Sequence, residues 1–286
     1  MIDGHFTADV HMHPARLGTL RPAWVGWARD FGGDPPLDHF YDVDGVVRPD
    51  RLDTYLDGQG VDAAVLLCEY SPKATGIQPI EDLLPIVEHN PDRFAMLANL
   101  NPHYHHPLLT ELERQVGLGA VGVKIHPVHG GFSVADRALF PVYQACAELG
   151  LPIVVHCGTS TFPGSENRFA SPEPLREVLR AVPDLTVVLA HGGRSWWYDE
   201  AATLALEFDT VWIELSGLPP KRLPDYFANQ DFPRLARRFI FGTDWPGVPG
   251  IARNALAIGS LGLEPDTFAA ILGGNARRVY PGLGPG

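Results

Sequence analysis

The feature that most constrains the fold is an eightfold alternation of short apolar segments with longer amphipathic ones. The apolar segments are nearly continuous in aliphatic residues, a pattern typical of strands buried on both faces of a parallel sheet. In chain order they read FTADVHMH, VDAAVLLCEY, RFAMLANLNP, AVGVKIHP, LPIVVHCG, LTVVLAHGG, TVWIELSG and RFIFGTDWP. The alternation therefore predicts an α/β fold with a parallel sheet.

Helix-length segments separate these strands, among them RPDRLDTYLDGQG, HPLLTELERQVGLG, ADRALFPVYQACAELG and YDEAATLALEFD. Many begin near Ser, Asp or Pro and end near Gly, Asn or Asp, as helix capping predicts. Eight strand–helix pairs in a chain of 286 residues predict a single (β/α)8 TIM barrel over residues 1–286. An open dinucleotide-binding sheet is not favoured, because no G-x-G-x-x-G follows the first strand.

One interval departs from the regular alternation. Residues 14–48, between the first strand and the first predicted helix, are rich in Gly, Pro, Asp and Trp. A long insertion after a barrel strand usually forms part of the active-site mouth. We predict an active-site loop or lid here.

Composition limits the kinds of molecule that the protein is expected to bind. The formal net charge of −12 argues against nucleic acid, because phosphate binding needs a basic face. Three cysteines without C-x-x-C spacing suggest neither a disulfide framework nor a thiolate zinc site. No signal peptide or membrane span is recognisable. We expect a cytoplasmic protein that acts on a small molecule, without a nucleic-acid or membrane partner.

Ionisable residues lie near the carboxyl ends of five predicted strands. In a TIM barrel these ends converge on the face that carries the active site. Histidine and carboxylate ligands with an open position are what catalytic zinc-type sites require, so the set predicts a shared metal site. The residues are His11, His13, Lys124, His126, His156, His191 and Asp244.

The motifs DVHMHP, GVKIHP, VVHCG, LAHGG, IFGTDWP and ILGGNARRVY together resemble the amidohydrolase superfamily. Within it they are most similar to the amidohydrolase-2 branch of metal-dependent barrels of the aminocarboxymuconate semialdehyde decarboxylase type. The resemblance implies one divalent ion, commonly Zn²⁺, held by His11, His13, His156 and Asp244. It further implies a catalytic acid/base role for His191, and it favours a homodimer.

Lys124 leaves two alternatives open. In two-metal branches of the superfamily a lysine on the fourth strand is carboxylated and bridges two ions, and the order of residues here is compatible with that pattern. GVKIHP is also common in the one-metal branch, so one ion is expected more than two. Lys124 would then pair with a carboxylate at the barrel mouth.

Two reactions suit such a site. A metal ion lowers the pKa of water, Asp244 could take its proton and His191 could protonate a leaving group. This chemistry describes hydrolysis of an amide, lactone or other cyclic acyl bond, which we rank first. Nonoxidative decarboxylation of a small carboxylic acid is the alternative, and a non-catalytic metal-binding barrel is a remote third.

Several further side chains are candidates for binding substrate. A decarboxylase needs a cation for the substrate carboxylate, and Arg168 and Arg194 follow the fifth and sixth strands. Trp196 could stack on a planar substrate, and His126 shares the face of Lys124. His129 is assigned to a loop. Glu69 and Glu214, at the ends of two further strands, are expected to line the pocket or accept hydrogen bonds from metal ligands.

Overall fold

All eight predicted strands are present in the computed structural model, which describes residues 1–284. They form one parallel sheet in the order β1-β2-β5-β6-β7-β8-β9-β10. Two short strands, β3 (Glu69–Ser71) and β4 (Gly76–Gln78), form an antiparallel pair after β2. The barrel strands are β1 (Ala8–Met12), β2 (Ala63–Leu67), β5 (Phe94–Asn99), β6 (Ala120–Ile125), β7 (Ile153–Gly158), β8 (Val187–Arg194), β9 (Val211–Glu214) and β10 (Phe239–Ile240).

Backbone hydrogen bonds between the first strand and the segment after β10 close the barrel. The amide of Val10 donates to the carbonyl of Phe241 at 3.2 Å, and that of Asp244 donates to His11 at 3.0 Å. The amide of His13 donates to Trp245 at 2.8 Å. The predicted (β/α)8 fold is therefore confirmed.

Helices surround the sheet, and each of the helical segments named above contains a helix. Their bounds are α1 (Pro22–Phe31), α2 (Pro49–Gly58), α3 (Leu84–His89), α4 (Leu108–Gly117), α5 (Pro127–Gly130), α6 (Phe140–Leu149), α7 (Leu175–Ala181), α8 (Tyr198–Glu207), α9 (Leu223–Tyr226), α10 (Phe232–Ala236), α11 (Ile251–Gly259), α12 (Pro265–Ala269) and α13 (Asn275–Val279). Within residues 1–284 none of them is long and apolar enough to cross a membrane.

The insertion at residues 14–48 includes regular secondary structure. It contains the ten-residue helix α1, which has Pro22 at its first position and ends before Gly32. Trp24 and Ala28 of this helix are buried, four residues apart and therefore on one helical face. The helix is held to the barrel by this apolar contact.

The strands bury two sets of side chains, as a barrel requires. One set, including Val65, Val154 and Val188, packs in the barrel interior together with residues of α13. The alternate residues, such as Leu66 and Val155, pack in the larger cluster that includes helix residues. Side chains of a strand face the interior at every second residue. Where a strand continues beyond its apolar residues, the next inward-facing residue is polar and lies at the mouth of the barrel.

A register shift in β1 is what brings its two histidines to the site. Val10 belongs to the interior cluster and Met12 to the outer one, and the pairing of β1 with β2 shifts between Asp9 and Met12. A bulge of this kind changes the face that the following side chains occupy. His11 and His13 consequently lie at the mouth, above the apolar interior.

Candidate metal centre

Three predicted ligands converge where β1 meets the segment after β10. Oδ1 of Asp244 lies 3.6 Å from Nε2 of His11 and 3.5 Å from Nε2 of His13. Two ligands of one tetrahedral ion, each about 2.1 Å from it, lie about 3.4 Å apart. The distances from Asp244 to the two histidines therefore fit ligands of a single divalent ion.

Glu214 fixes the orientation of the His11 ring. Nδ1 of His11 donates to Oε2 of Glu214 at 2.8 Å, and both side chains are buried. The carboxylate also accepts hydrogen bonds from the hydroxyl and the amide of Ser216, at 2.7 Å and 2.6 Å. Because the proton of the imidazole is on Nδ1, Nε2 presents its lone pair to the site, as in carboxylate–histidine–metal arrangements.

We expect Glu214→Gln to weaken metal binding about tenfold or more, since it removes the charge that fixes this tautomer. Titration of the chelator-treated protein with Zn²⁺ measures the effect. Glu113→Gln is the control, because Glu113 is exposed on α4. Equal zinc affinity in the two variants would show that Glu214 has no part in ligation.

The protonation states also suit a metal centre. Burial opposes ionisation of Asp244, but the hydrogen bond from His13 and the charges of His11, His13 and Arg194 outweigh it and hold the pKa of Asp244 well below its usual range. Burial and the neighbouring Lys124 lower the pKa of His11. An ionised carboxylate and a neutral imidazole are the forms that bind a metal ion.

Lys124 lies beside these ligands. Its side chain is fully buried, and Nζ is 3.4 Å from Nε2 of His11. Burial lowers the pKa of Lys124 to about 8, although Glu214, Asp244 and Glu69 act in the opposite direction. A neutral amine is the form that reacts with CO₂, so both roles that the sequence allows for Lys124 remain compatible with this position.

His191 and His156 form a hydrogen-bonded pair next to the centre. Nδ1 of His191 donates to the backbone carbonyl of Ser216 at 3.0 Å. Nε2 of His191 lies 3.1 Å from Nδ1 of His156. Burial lowers the pKa of both histidines; Arg194 adds to the effect on His191, and His191 adds to that on His156.

The backbone at the site is unusual. Among residues 1–284, the non-glycine residues with positive φ include His191 at 65°, Ser195 at 81° and Asp244 at 69°. Left-handed conformations cost free energy in residues with a side chain and persist where the surrounding structure fixes them, often at functional sites. His191 and Asp244, two of these three residues, line the cavity at the mouth.

A cavity of about 290 Å³ opens over these residues. His13, His156, His191 and Asp244 line its polar end, and the aromatic side chains of Trp24, Trp27, Phe31 and Phe162 contribute to its wall. The first three aromatic residues belong to α1, within residues 14–48. A larger groove of about 620 Å³, lined by Lys221 and Arg253 among others, contains none of the histidines.

Four further candidates separate into two groups. His126 and Arg194 line the cavity. The side chain of Arg168 is 73% exposed and pairs with Glu166 at 2.6 Å. Trp196 is 73% exposed and packs on Trp197.

His129 was missed. It is buried on the four-residue helix α5, not in a loop, and it lines the cavity. The one sequence signal was its spacing of three from His126, which is too little by itself to indicate a helical turn. Glu69, expected to line the pocket, does so.

The family of this chain is identified by its similarity to known proteins. The amidohydrolase family model matches residues 8–282, nearly the whole chain. The chain belongs to the amidohydrolase family. Enzymes of this family depend on metal ions, and the amidohydrolase barrel described here has a His/Asp cluster with the donor set to bind one.

Individual relatives are distant. The chain is 26% identical over 132 residues to 2-amino-3-carboxymuconate-6-semialdehyde decarboxylase of Dictyostelium discoideum, an alignment that covers 41% of this chain and 37% of that relative. An uncharacterised TIM-barrel protein from Bordetella bronchiseptica superposes with a TM-score of 0.78 at 23% identity, over 96% of this chain and 98% of the other. The 5-carboxyvanillate decarboxylase LigW from Sphingomonas paucimobilis superposes with a TM-score of 0.66 at 18% identity, over 97% and 99%. The two solved structures share the barrel fold.

Proposed function

We propose that this amidohydrolase is a metal-dependent nonoxidative decarboxylase of a small, planar carboxylic acid. The observation that carries the proposal is a cationic side chain, Arg194, in the cavity beside His191 and Asp244. The decarboxylase activity of the Dictyostelium relative supports it. This order reverses the ranking drawn from the sequence, where hydrolysis came first.

Arg194 is held in place by the protein. Its Nε and Nη2 donate to the carbonyl of Thr159 at 3.3 Å and 2.9 Å, and a Cβ added at Gly217 would lie 2.6 Å from Nη1. These bonds use only part of the N–H donors of the guanidinium, so others are left for a ligand. The charge of Arg194 lowers the pKa values of Asp244 and His191. A carboxylate is the ligand that a guanidinium binds best.

The aromatic wall favours a flat, conjugated acid. The rings of Trp27 and Phe162 lie 5.7 Å apart at 85°, and Trp24 lies 5.7 Å from Trp27. Such surfaces bury planar substrates through offset or edge contacts. A cavity of about 290 Å³ is suited to a substrate of one ring or a short conjugated chain.

His11, His13 and Asp244 would hold the ion, with Zn²⁺ as the first candidate for that ligand set. When bound, a divalent ion polarises oxygen atoms of the substrate and stabilises the negative charge that develops in the reaction. Arg194 binds the carboxylate that is lost, and the aromatic wall keeps the conjugated plane in position. The bond from carbon to the carboxylate breaks, CO₂ leaves, and the carbon takes up a proton. His191, once protonated on Nε2, is the acid that supplies this proton.

Hydrolysis remains the second candidate because of Asp244. Its carboxylate is ionised and fixed by His13, so it could accept a proton from an attacking water molecule. A lactone or cyclic amide carrying a carboxylate would suit the same cavity. The two reactions differ in their products, since hydrolysis opens a ring and releases no CO₂.

A direct experiment separates the two. The zinc-loaded protein is incubated with hydroxybenzoic, carboxymuconic and pyrone carboxylic acids labelled with ¹³C in the carboxylate. Release of ¹³CO₂, dependent on added metal, supports decarboxylation. Ring opening with full retention of the label supports hydrolysis and contradicts the proposal.

We expect Arg194→Ala to raise the KM for the carboxylic acid about 10- to 100-fold, the effect of losing a charge-assisted hydrogen bond of about 1.5–3 kcal/mol. Initial-rate kinetics measure it. Arg168→Ala is the matched control and should leave KM unchanged, because that side chain is exposed and paired with Glu166. The reverse pattern would show that the substrate carboxylate lies at Arg168 and not at Arg194.

A further inference from the structure

A second cluster of buried side chains lines the cavity beside the first. It consists of His126, His129, His156 and Glu69. One ligand nitrogen of each histidine lies within 4.8 Å of the other two, and the rings of His126 and His129 stack with centroids 4.9 Å apart. Oε2 of Glu69 is 3.2 Å from Nε2 of His126.

Hydrogen bonding fixes the tautomer of His156. The carbonyl of Ser216 can only accept, so Nδ1 of His191 donates to it, and Nε2 of a neutral His191 is then an acceptor. Nδ1 of His156 must therefore donate to His191. Nε2 of His156 is left with a lone pair, and it is buried without a hydrogen-bond partner.

His129 also presents a ring nitrogen without a partner. Its Nε2 contacts the hydroxyl of Ser160 at 3.0 Å, whereas Nδ1 is buried without a hydrogen-bond partner. Buried polar atoms are rarely left unpaired in a folded protein, so this nitrogen is available to a ligand.

Glu69 adds an oxygen atom to these nitrogens. Its Oε1 is also buried without a hydrogen-bond partner, so a carboxyl group and several imidazole nitrogens meet in one place. Imidazole nitrogens together with a carboxyl oxygen are the donor set of a divalent transition ion.

We infer that His126, His129 and Glu69, together with Nε2 of His156, form a second divalent cation site. A transition ion such as Zn²⁺ or Co²⁺ suits three imidazole nitrogens and a carboxylate. The site differs from a centre bridged by Lys124, because it uses His126 and His129. It also assigns His156 to the second ion, whereas the family resemblance implied the first.

Metal stoichiometry tests the site without reference to catalysis. Chelator-treated protein is saturated with Zn²⁺, desalted and analysed by mass spectrometry of the metal. The wild-type protein should retain two equivalents, and His129→Ala one fewer. His39→Ala, which removes an exposed histidine, should retain as many as the wild type.

The Co²⁺ absorption spectrum shows which of the two sites has lost its ion. Bands that appear with one of the two equivalents should be missing in His129→Ala and present in His11→Ala. If His129→Ala misfolds by circular dichroism, His129→Gln replaces it, since it keeps a polar side chain without the imidazole. A folded His129 variant that retains as much zinc as the wild type would overturn the inference.

Discussion

Replacing His11 by alanine is expected to reduce metal-dependent turnover to background while the barrel stays folded. The imidazole is a proposed ligand of the ion, and Glu214 fixes its orientation. A metal ion contributes several kcal/mol to transition-state stabilisation, so the loss should be about 10³-fold or more. Initial rates in the presence of excess Zn²⁺ measure it.

Asp244→Asn should give the same result, because an amide binds the ion far less well than a carboxylate. Thermal unfolding followed by circular dichroism checks that both variants are folded, and His39→Ala serves as the control. Full activity with bound metal in either His11→Ala or Asp244→Asn would contradict the site.

The second large effect is expected at His191. His191→Asn should lower kcat about 10²- to 10⁴-fold, the usual contribution of a positioned acid/base. KM for the substrate and the content of the ion at His11 and Asp244 should change little, because the proposal gives His191 the proton and not the metal. Steady-state kinetics together with metal analysis test both parts.

The outcome that would contradict this role is specific. If His191→Asn loses activity and one equivalent of metal together, His191 is a ligand, as its grouping with His11 and Asp244 within 4.8 Å allows. If it keeps normal kcat, His191 does not carry the proton. Metal analysis distinguishes these two outcomes, because only the first includes a loss of metal.

The strand pattern was predictable because burial on both faces leaves a plain sequence signal. Strand ends such as VVHCG and VVLAHGG continued an apolar run into a histidine, so His156 and His191 could be placed at the mouth from their position alone. The bulge in β1 left no comparable signal, since alternation counted from Val10 would have directed His11 and His13 to the outer face.

Other features needed the structure because they depend on side-chain direction or on weak local signals. The helix in residues 14–48 has Pro22 at its start and Gly32 at its end, but the high Gly and Pro content around it hid both signals. Arg168 and Trp196 lie near the correct strands in sequence. Their side chains point to solvent, and sequence spacing does not encode that direction.

The contact between His126 and His129 was also not predictable from the sequence. A helix of four residues is too short for a periodic pattern to reveal. His129 was therefore assigned to a loop. Only the folded backbone shows that it stacks on His126 at 4.9 Å.

The central claim, a catalytic divalent ion at the carboxyl ends of the barrel strands, is tested most directly by anomalous diffraction. Crystals of the zinc-saturated protein are measured on both sides of the zinc absorption edge. We predict an anomalous peak within bonding distance of His11, His13 and Asp244, irrespective of any second ion at His129. A zinc-saturated crystal with no peak at those three residues would contradict the account.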